Sequence, residues 1–212
     1  MKLLDLAAID AATLNSDPFD FLVVQDCIKA DKLATINRDY PAIDRPGNLS
    51  LEDIEYGHVF QQFLEELAGP ELAEHIGRKF GVDLSESPTT TTVRKFCERS
   101  DGNIHTDHPS KIITVLVYFN EDWTSEEGQL RMLRSDSDIE DYAAEVAPLG
   151  GTLLAFRRTD DSYHGHKPFV GERRMVQMNY LKANRLSQWK QHIDRLGTRT
   201  MKKALRLFSP SA

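Results

Sequence analysis

The run Ile112-Ile113-Thr114-Val115-Leu116-Val117-Tyr118-Phe119 is apolar at odd and even positions alike, and it constrains the fold more than any other stretch. Side chains of a strand alternate between the two faces of a sheet, so a run with no polar face needs cover on both sides. A central strand between two layers meets that need. Cover for one side stands upstream. Phe60, Phe63, Leu64 and Leu67 recur at helical spacing behind Ser50-Leu51-Glu52-Asp53, which has the form of an N-terminal cap. Leu72, Ile76 and Phe80 form a second stripe between Gly69-Pro70 and Gly81.

Before these helices, Phe21-Leu22-Val23-Val24 reads as a short strand, and a helix from about Ala30 to Tyr40 ends at Pro41. After Pro88 the texture changes to β-branched and aromatic residues, Thr89 to Thr92, Val93 and Phe96. Further strands are predicted over Gln129 to Arg134, Gly151 to Phe156 and Arg174 to Leu181. The acid-rich stretches Glu121 to Glu127 and Ser135 to Glu145 read as solvated loops. A last helical segment, Leu186 to Leu207, packs through Trp189, Ile193 and Leu196. Helices first and strands after give an α+β domain, an antiparallel barrel or jelly roll on a helical layer. At 212 residues the chain is predicted to be a single domain. Its parts are a helical layer over about 1–85, a jelly-roll core over about 88–181 and a C-terminal helical segment over about 186–207.

Formal net charge is −7, which argues against a general affinity for nucleic acid. From Lys182 onward eight basic residues face Asp194 alone, a basic tail expected to be solvated or to lie against the acidic body. Cys27 and Cys97 lie far apart in the chain and are read as buried free thiols of a reducing compartment. Asp5 and Asp10 interrupt the first apolar segment before it could serve as a signal peptide, and no run approaches the length of a membrane span. The expected setting is cytoplasmic, with no membrane or nucleic-acid partner.

His105-Thr106-Asp107 precedes the central strand, and His164 and His166 follow in Ser162-Tyr163-His164-Gly165-His166-Lys167-Pro168. Two imidazoles and one carboxylate are what a facial non-heme Fe(II) site requires, with the opposite face of the octahedron left for water, a chelating cosubstrate and oxygen. Residues i and i+2 of a strand share a face, so His105 and Asp107 can reach one ion. Taken alone, the triplet also fits a surface turn beside Asp101-Gly102.

Five ordered segments carry a wider likeness: His105-Thr106-Asp107, Tyr118-Phe119-Asn120-Glu121-Asp122-Trp123, Gly128-Gln129-Leu130-Arg131, Val146-Ala147-Pro148-Leu149-Gly150-Gly151, and His164 through Pro168 to Arg174. From roughly Phe19 to Leu181 the chain resembles a 2-oxoglutarate and Fe(II)-dependent dioxygenase of the prolyl-4-hydroxylase-like group. The resemblance implies a double-stranded β-helix, the jelly-roll variant that holds metal and cosubstrate between two sheets. It implies Fe(II), 2-oxoglutarate and O2 as cofactor and cosubstrates. The implied reaction is hydroxylation of an unactivated carbon of a second substrate, with release of succinate and CO2.

The family pattern of a histidine, three residues and a proline selects His164 through Pro168, so the implied metal ligands and catalytic centre are His105, Asp107 and His164. His166 and His108 fall outside the ligand set. Tyr118 matches the family's cosubstrate hydroxyl, against the plainer reading of a core tyrosine. For the far carboxylate a guanidinium is needed. Arg174 is chosen over Arg173, because it lies ten residues after His164, shares strand parity with Val176, Met178 and Tyr180, and is followed by an aromatic six positions on. Many relatives carry a tyrosine where this chain has Phe96. Competing functions are a cupin-like metal-binding module and a non-catalytic 2-oxoglutarate sensor. The prime substrate, a small molecule or a peptidyl residue, is not specified by these residues.

Overall fold

The computed structural model describes residues 2–183 and sets out in chain order α1 (Leu6–Ala11), β1 (Phe21–Val24), α2 (Ala30–Arg38), β2 (Leu49–Ser50), α3 (His58–Leu67), α4 (Pro70–Phe80), β3 (Thr89–Cys97), β4 (Lys111–Tyr118), β5 (Leu130–Leu133), β6 (Tyr142–Val146), β7 (Leu153–Arg157), β8 (His164–Gly165) and β9 (Gly171–Leu181). A single 3-10 turn, Leu51–Asp53, follows β2. The strands form an antiparallel six-stranded sheet, ordered β1-β7-β4-β9-β3-β2, facing a three-stranded sheet ordered β6-β5-β8. This is the jelly-roll α+β architecture that the sequence suggests. The helical segment expected over residues 186–207, with most of the basic tail, lies outside the described residues. Among those described, no helix is long and apolar enough to cross a membrane.

The two faces of β4 enter different cores. Ile113, Val115 and Val117 join Phe60, Phe63, Leu67, Leu72, Ile76 and Phe80 beneath α3 and α4. Leu116 and Tyr118 point the other way, into a smaller core with Phe19, Phe21, Leu130, Met132, Leu154, Phe156 and Met175 between the sheets. The doubly apolar run is therefore a strand covered on each side, by helices on one and by the small sheet on the other.

The expected cap at Ser50 serves the 3-10 turn, where its hydroxyl bonds Asp53 Oδ2 at 2.6 Å. Helix α3 begins later, with Gly57 at its N-cap and Asp39 accepting from Val59 N at 2.7 Å. Gly81 ends α4 in the left-handed conformation, φ 61°, as a glycine after a helix commonly does. All of strand β6 but Val146 falls inside the stretch read as an acid-rich loop. Glu145 on it pairs with Arg131 of β5 at 2.6 Å and Glu140 lies 3.0 Å from the same guanidinium, so acids that look solvated in sequence are partners of a buried cation.

Phe63 holds the helical layer to the sheet. Its ring is fully buried and stands 5.1 Å from Phe119 and 5.9 Å from Phe60. Truncating a buried aromatic leaves a cavity as well as lost burial, so Phe63→Ala is expected to cost about 3–5 kcal/mol of unfolding free energy. Urea titration followed by circular dichroism measures this; a midpoint equal to wild type would show that the helical layer does not depend on this contact.

Candidate active site

His105 and His164 face each other across an antiparallel bridge: His105 N donates to His164 O at 3.1 Å, and His164 N to His105 O at 3.0 Å. Their rings are 4.4 Å apart, and Phe156 packs on the His164 ring at 4.6 Å. Each imidazole is turned by a main-chain carbonyl. His105 Nδ1 lies 2.8 Å from Asn103 O, and His164 Nδ1 lies 2.9 Å from Ser162 O. A carbonyl only accepts, so the proton sits on Nδ1 in both rings and Nε2 presents its lone pair. Burial pushes His164 down to about 4, so it is neutral near pH 7, the state in which imidazole ligates a metal.

Asp107 completes the group. One ligand atom from each of His105, Asp107 and His164 lies within 4.8 Å of the others. The expectation of one regular strand carrying both residues is not what brings them together. His105 sits in the isolated bridge, Asp107 in the connection that follows, and β4 starts only at Lys111. Thr114 Oγ1 donates to Asp107 Oδ2 at 2.5 Å, Lys111 Nζ reaches Oδ1 at 2.6 Å, and Arg158 Nε holds the main-chain oxygen at 3.0 Å. Burial by itself would raise this carboxyl, but Lys111, His164 and the hydroxyl of Thr114 outweigh it and hold it below the usual range. Thr114 is in turn 3.2 Å from Asn179 Oδ1 on β9.

A cavity opens over these three residues, lined also by Thr114, Leu116, Phe156, His166, Arg173 and Met175. Gly102 makes room at its edge: its φ of +91° suits glycine, and a Cβ there would collide with His166. His166 turns Nδ1 to Lys167 O at 2.8 Å. His108 bonds Ser110 Oγ at 2.8 Å and lines no part of the cavity.

The two adjacent arginines of β9 part as strand alternation demands, but in the opposite sense to the one expected. Arg174 shares its face with Val176, Met178 and Tyr180, and that face packs on the helices. Its guanidinium lies over Tyr40 at 5.6 Å and pairs with Glu172, away from the cavity. Arg173 lines the cavity and is 3% exposed. Its Nε donates to Gly128 O at 2.7 Å, Nη2 lies 3.5 Å from the Tyr118 hydroxyl, and Cζ lies 5.3 Å from the centre of the Tyr118 ring. Apolar parity misled the choice of Arg174, because both faces of this sheet are covered and the apolar face is the helical one. Tyr118 is fully buried beneath Arg173, and burial raises its hydroxyl above the ordinary range. Phe96 pairs with Glu172 and lines no part of the cavity.

The sequence profile of the 2OG-Fe(II) oxygenase superfamily matches residues 93–182, a span that holds every cavity-lining residue except Asn48. Over this span, less than half of the chain, the sequence is similar to that superfamily. Oxygenases of this superfamily use Fe(II), 2-oxoglutarate and O2. In fold, the chain is similar to a Pseudomonas putida prolyl-4-hydroxylase, with a TM-score of 0.56 at 18% identity, over 84% of this chain and 92% of that one. It is also similar to a Trichoplax adhaerens prolyl hydroxylase solved with a hypoxia inducible factor peptide, TM-score 0.52 at 17% identity, over 76% and 83% of the two chains. A third likeness is to HygX from Streptomyces hygroscopicus, solved with nickel and 2-oxoglutarate bound, TM-score 0.52 at 13% identity, over 77% and 83%. No curated protein sequence matches the chain significantly.

Sequence reasoning weighs Arg173 and sets it aside for Arg174, and it misses Thr114 and Lys111, which hold Asp107. A signal for Arg173 was present: the face of β4 bearing Thr114 and Tyr118 and the face of β9 bearing Gln177 and Asn179 are the polar ones, and these are the faces that meet at the cavity.

Proposed function

We propose that the protein is a hydroxylase in which His105, Asp107 and His164 hold Fe(II) while Arg173 binds the far carboxylate of 2-oxoglutarate. The observation that carries this is the state of Arg173. Two arginines of the core are nearly inaccessible, and they differ in one respect. Arg131 is paired with Glu145 and Glu140, whereas Arg173, among the described residues, forms no ion pair. A buried cation without a counter-ion is unfavourable, and one that lines a cavity beside three metal-ligating side chains calls for an anionic ligand there. The donor set suits Fe(II): two imidazoles and a carboxylate would supply three protein ligands.

Fe(II), held by His105, Asp107 and His164, would supply the redox chemistry by which O2 converts 2-oxoglutarate to succinate and CO2 and gives one oxygen atom to a carbon of the prime substrate. The chain's own residues set the conditions for that exchange. The carbonyls of Asn103 and Ser162 fix both ring tautomers, Thr114 and Lys111 fix the plane of the carboxylate, and Leu116, Phe156 and Met175 keep the cosubstrate side dry. Tyr118, which does not itself line the cavity, braces the Arg173 guanidinium from beneath. Cys27 and Cys97 are both buried and unpaired, which supports a reducing, cytoplasmic setting.

Oxygen uptake by the Fe(II)-loaded protein with 2-oxoglutarate, together with succinate release, tests this reading. Turnover of 2-oxoglutarate is expected even without prime substrate, slower than with it. A protein that binds 2-oxoglutarate yet never forms succinate would be a sensor. Thr114→Val gives a finer test. Loss of a hydrogen bond to a charged group costs about 1.5–3 kcal/mol, so Mn(II) affinity is expected to fall on the order of tenfold or more, with Thr114→Ser restoring it. Unchanged Mn(II) affinity in Thr114→Val, read by electron paramagnetic resonance, would remove Thr114 from the support of Asp107.

A further inference from the structure

Cross-strand register divides the cavity-facing side of the large sheet into two unlike halves. On β4, Thr114, Leu116 and Tyr118 lie opposite Asn179, Gln177 and Met175 of β9, and these lie opposite Thr90, Thr92 and Arg94 of β3. Ser50 of β2 pairs with Thr92. In the other direction Thr114 and Leu116 lie opposite Phe156 and Leu154 of β7, and Phe156 lies opposite Phe21 of β1. Toward β7 and β1 the floor is apolar, buried and packed against the small sheet. Toward β3 and β2 it carries hydroxyls, carboxamides and one guanidinium, and of these Thr90, Thr92, Arg94, Gln177, Ser50 and Asn48 all remain partly or fully exposed.

This polar half borders the metal-ligating group, since Gln177, Arg94 and Asn48 line the same cavity as His105, Asp107 and His164. Its charge is already balanced. Arg94 lies 2.6 Å from Asp101 Oδ2 and donates Nε to Asn48 Oδ1 at 2.9 Å. Gln177 gives Nε2 to Asn179 Oδ1 at 3.1 Å, which leaves its Oε1 to accept, while Asn48 keeps its amide hydrogens to donate. A carboxylate or ammonium ligand would find its counter-charge here already taken. A prolyl ring would strip water from these hydroxyls and carboxamides without replacing its hydrogen bonds, a loss to which polar sites are sensitive. Donors and acceptors in close alternation match a ligand that presents several hydroxyls.

Resting on the oxygenase reading above, we infer that the prime substrate is a neutral, multiply hydroxylated small molecule seated on Thr92, Gln177 and Asn48, with Gln177 a specificity-determining residue. The reaction converts one C–H of this molecule to C–OH. One atom of O2 enters that hydroxyl, the other enters the new carboxylate of succinate, and 2-oxoglutarate is oxidised with loss of CO2.

The test uses the full chain loaded with Zn(II) and 2-oxoglutarate, titrated with myo-inositol, glucose and a proline-containing hexapeptide by saturation-transfer NMR, with oxygen uptake measured in parallel on the Fe(II) form. Saturable transfer to a hydroxylated probe and stimulated oxygen uptake by it are expected, and neither with the peptide. Gln177→Leu and Thr92→Val are expected to weaken binding of that probe about tenfold or more, and Thr92→Ser to retain it. Stimulation by the peptide, absence of transfer to either hydroxylated probe in protein that binds 2-oxoglutarate, or unchanged probe affinity in Gln177→Leu would each overturn the inference. Failure of the Zn(II)-loaded protein to bind 2-oxoglutarate at all would instead sink the oxygenase reading and take this inference with it.

Discussion

Arg173→Ala is expected to weaken 2-oxoglutarate binding on the order of a hundredfold or more, while Arg174→Ala changes it by less than about threefold. The difference follows from where the two side chains go. Arg173 is 3% exposed, faces the cavity and has no carboxylate partner among the described residues. Removing one member of a buried, hydrogen-bonded charge pair typically costs about 2–5 kcal/mol, because the remaining charge is stranded. Arg174 pairs with Glu172 and lies over Tyr40 on the helical side of the sheet, so its loss costs local packing and leaves the cavity intact. Calorimetric titration of Mn(II)-loaded variants with 2-oxoglutarate reads both numbers. Equal losses in the two variants, or a loss confined to Arg174→Ala, would move the clamp off Arg173.

Alanine at His105, Asp107 or His164 is expected to reduce Mn(II) binding by at least a hundredfold, on the order of the effect of removing one of only three protein ligands. His108→Ala and His166→Ala are expected to keep the ion. His108 lies outside the cavity, and His166, although it lines the cavity, does not join the group whose ligand atoms fall within 4.8 Å of one another. Electron paramagnetic resonance of free Mn(II) gives the bound fraction directly. Loss of the ion in His166→Ala with retention in His164→Ala would shift the ligand set by two residues.

Much of this architecture was legible because hydrophobic pattern and turn residues agree with it. The Ile112–Phe119 run demanded cover on two sides and has it; Leu72, Ile76 and Phe80 lie buried on α4, which Gly81 ends. The strand β6 was hidden, because Glu145 and its acidic neighbours suggest solvent until Arg131 is placed beside them. The geometry that joins His105 to Asp107 was also out of reach, since it depends on a bridge to His164 far along the chain and on the hydroxyl of Thr114. Parity along β9 was readable but its meaning was not. In a sheet covered on both faces, apolar residues such as Val176, Met178 and Tyr180 mark a core without saying which one, and here they mark the core under the helices. Only cross-strand register, Leu116 opposite Gln177 and Tyr118 opposite Met175, ties the cavity to the face of Arg173.

The most direct test of the central claim is anaerobic titration of the Fe(II)-loaded protein with 2-oxoglutarate, following the visible metal-to-ligand charge-transfer band. The assignment of His105, Asp107 and His164 to the metal and Arg173 to the cosubstrate requires a saturable band in the wild type, displaced to far higher 2-oxoglutarate in Arg173→Ala and lost in Asp107→Ala. A wild type that shows no band, or an Asp107→Ala variant that shows the wild-type titration, would contradict it.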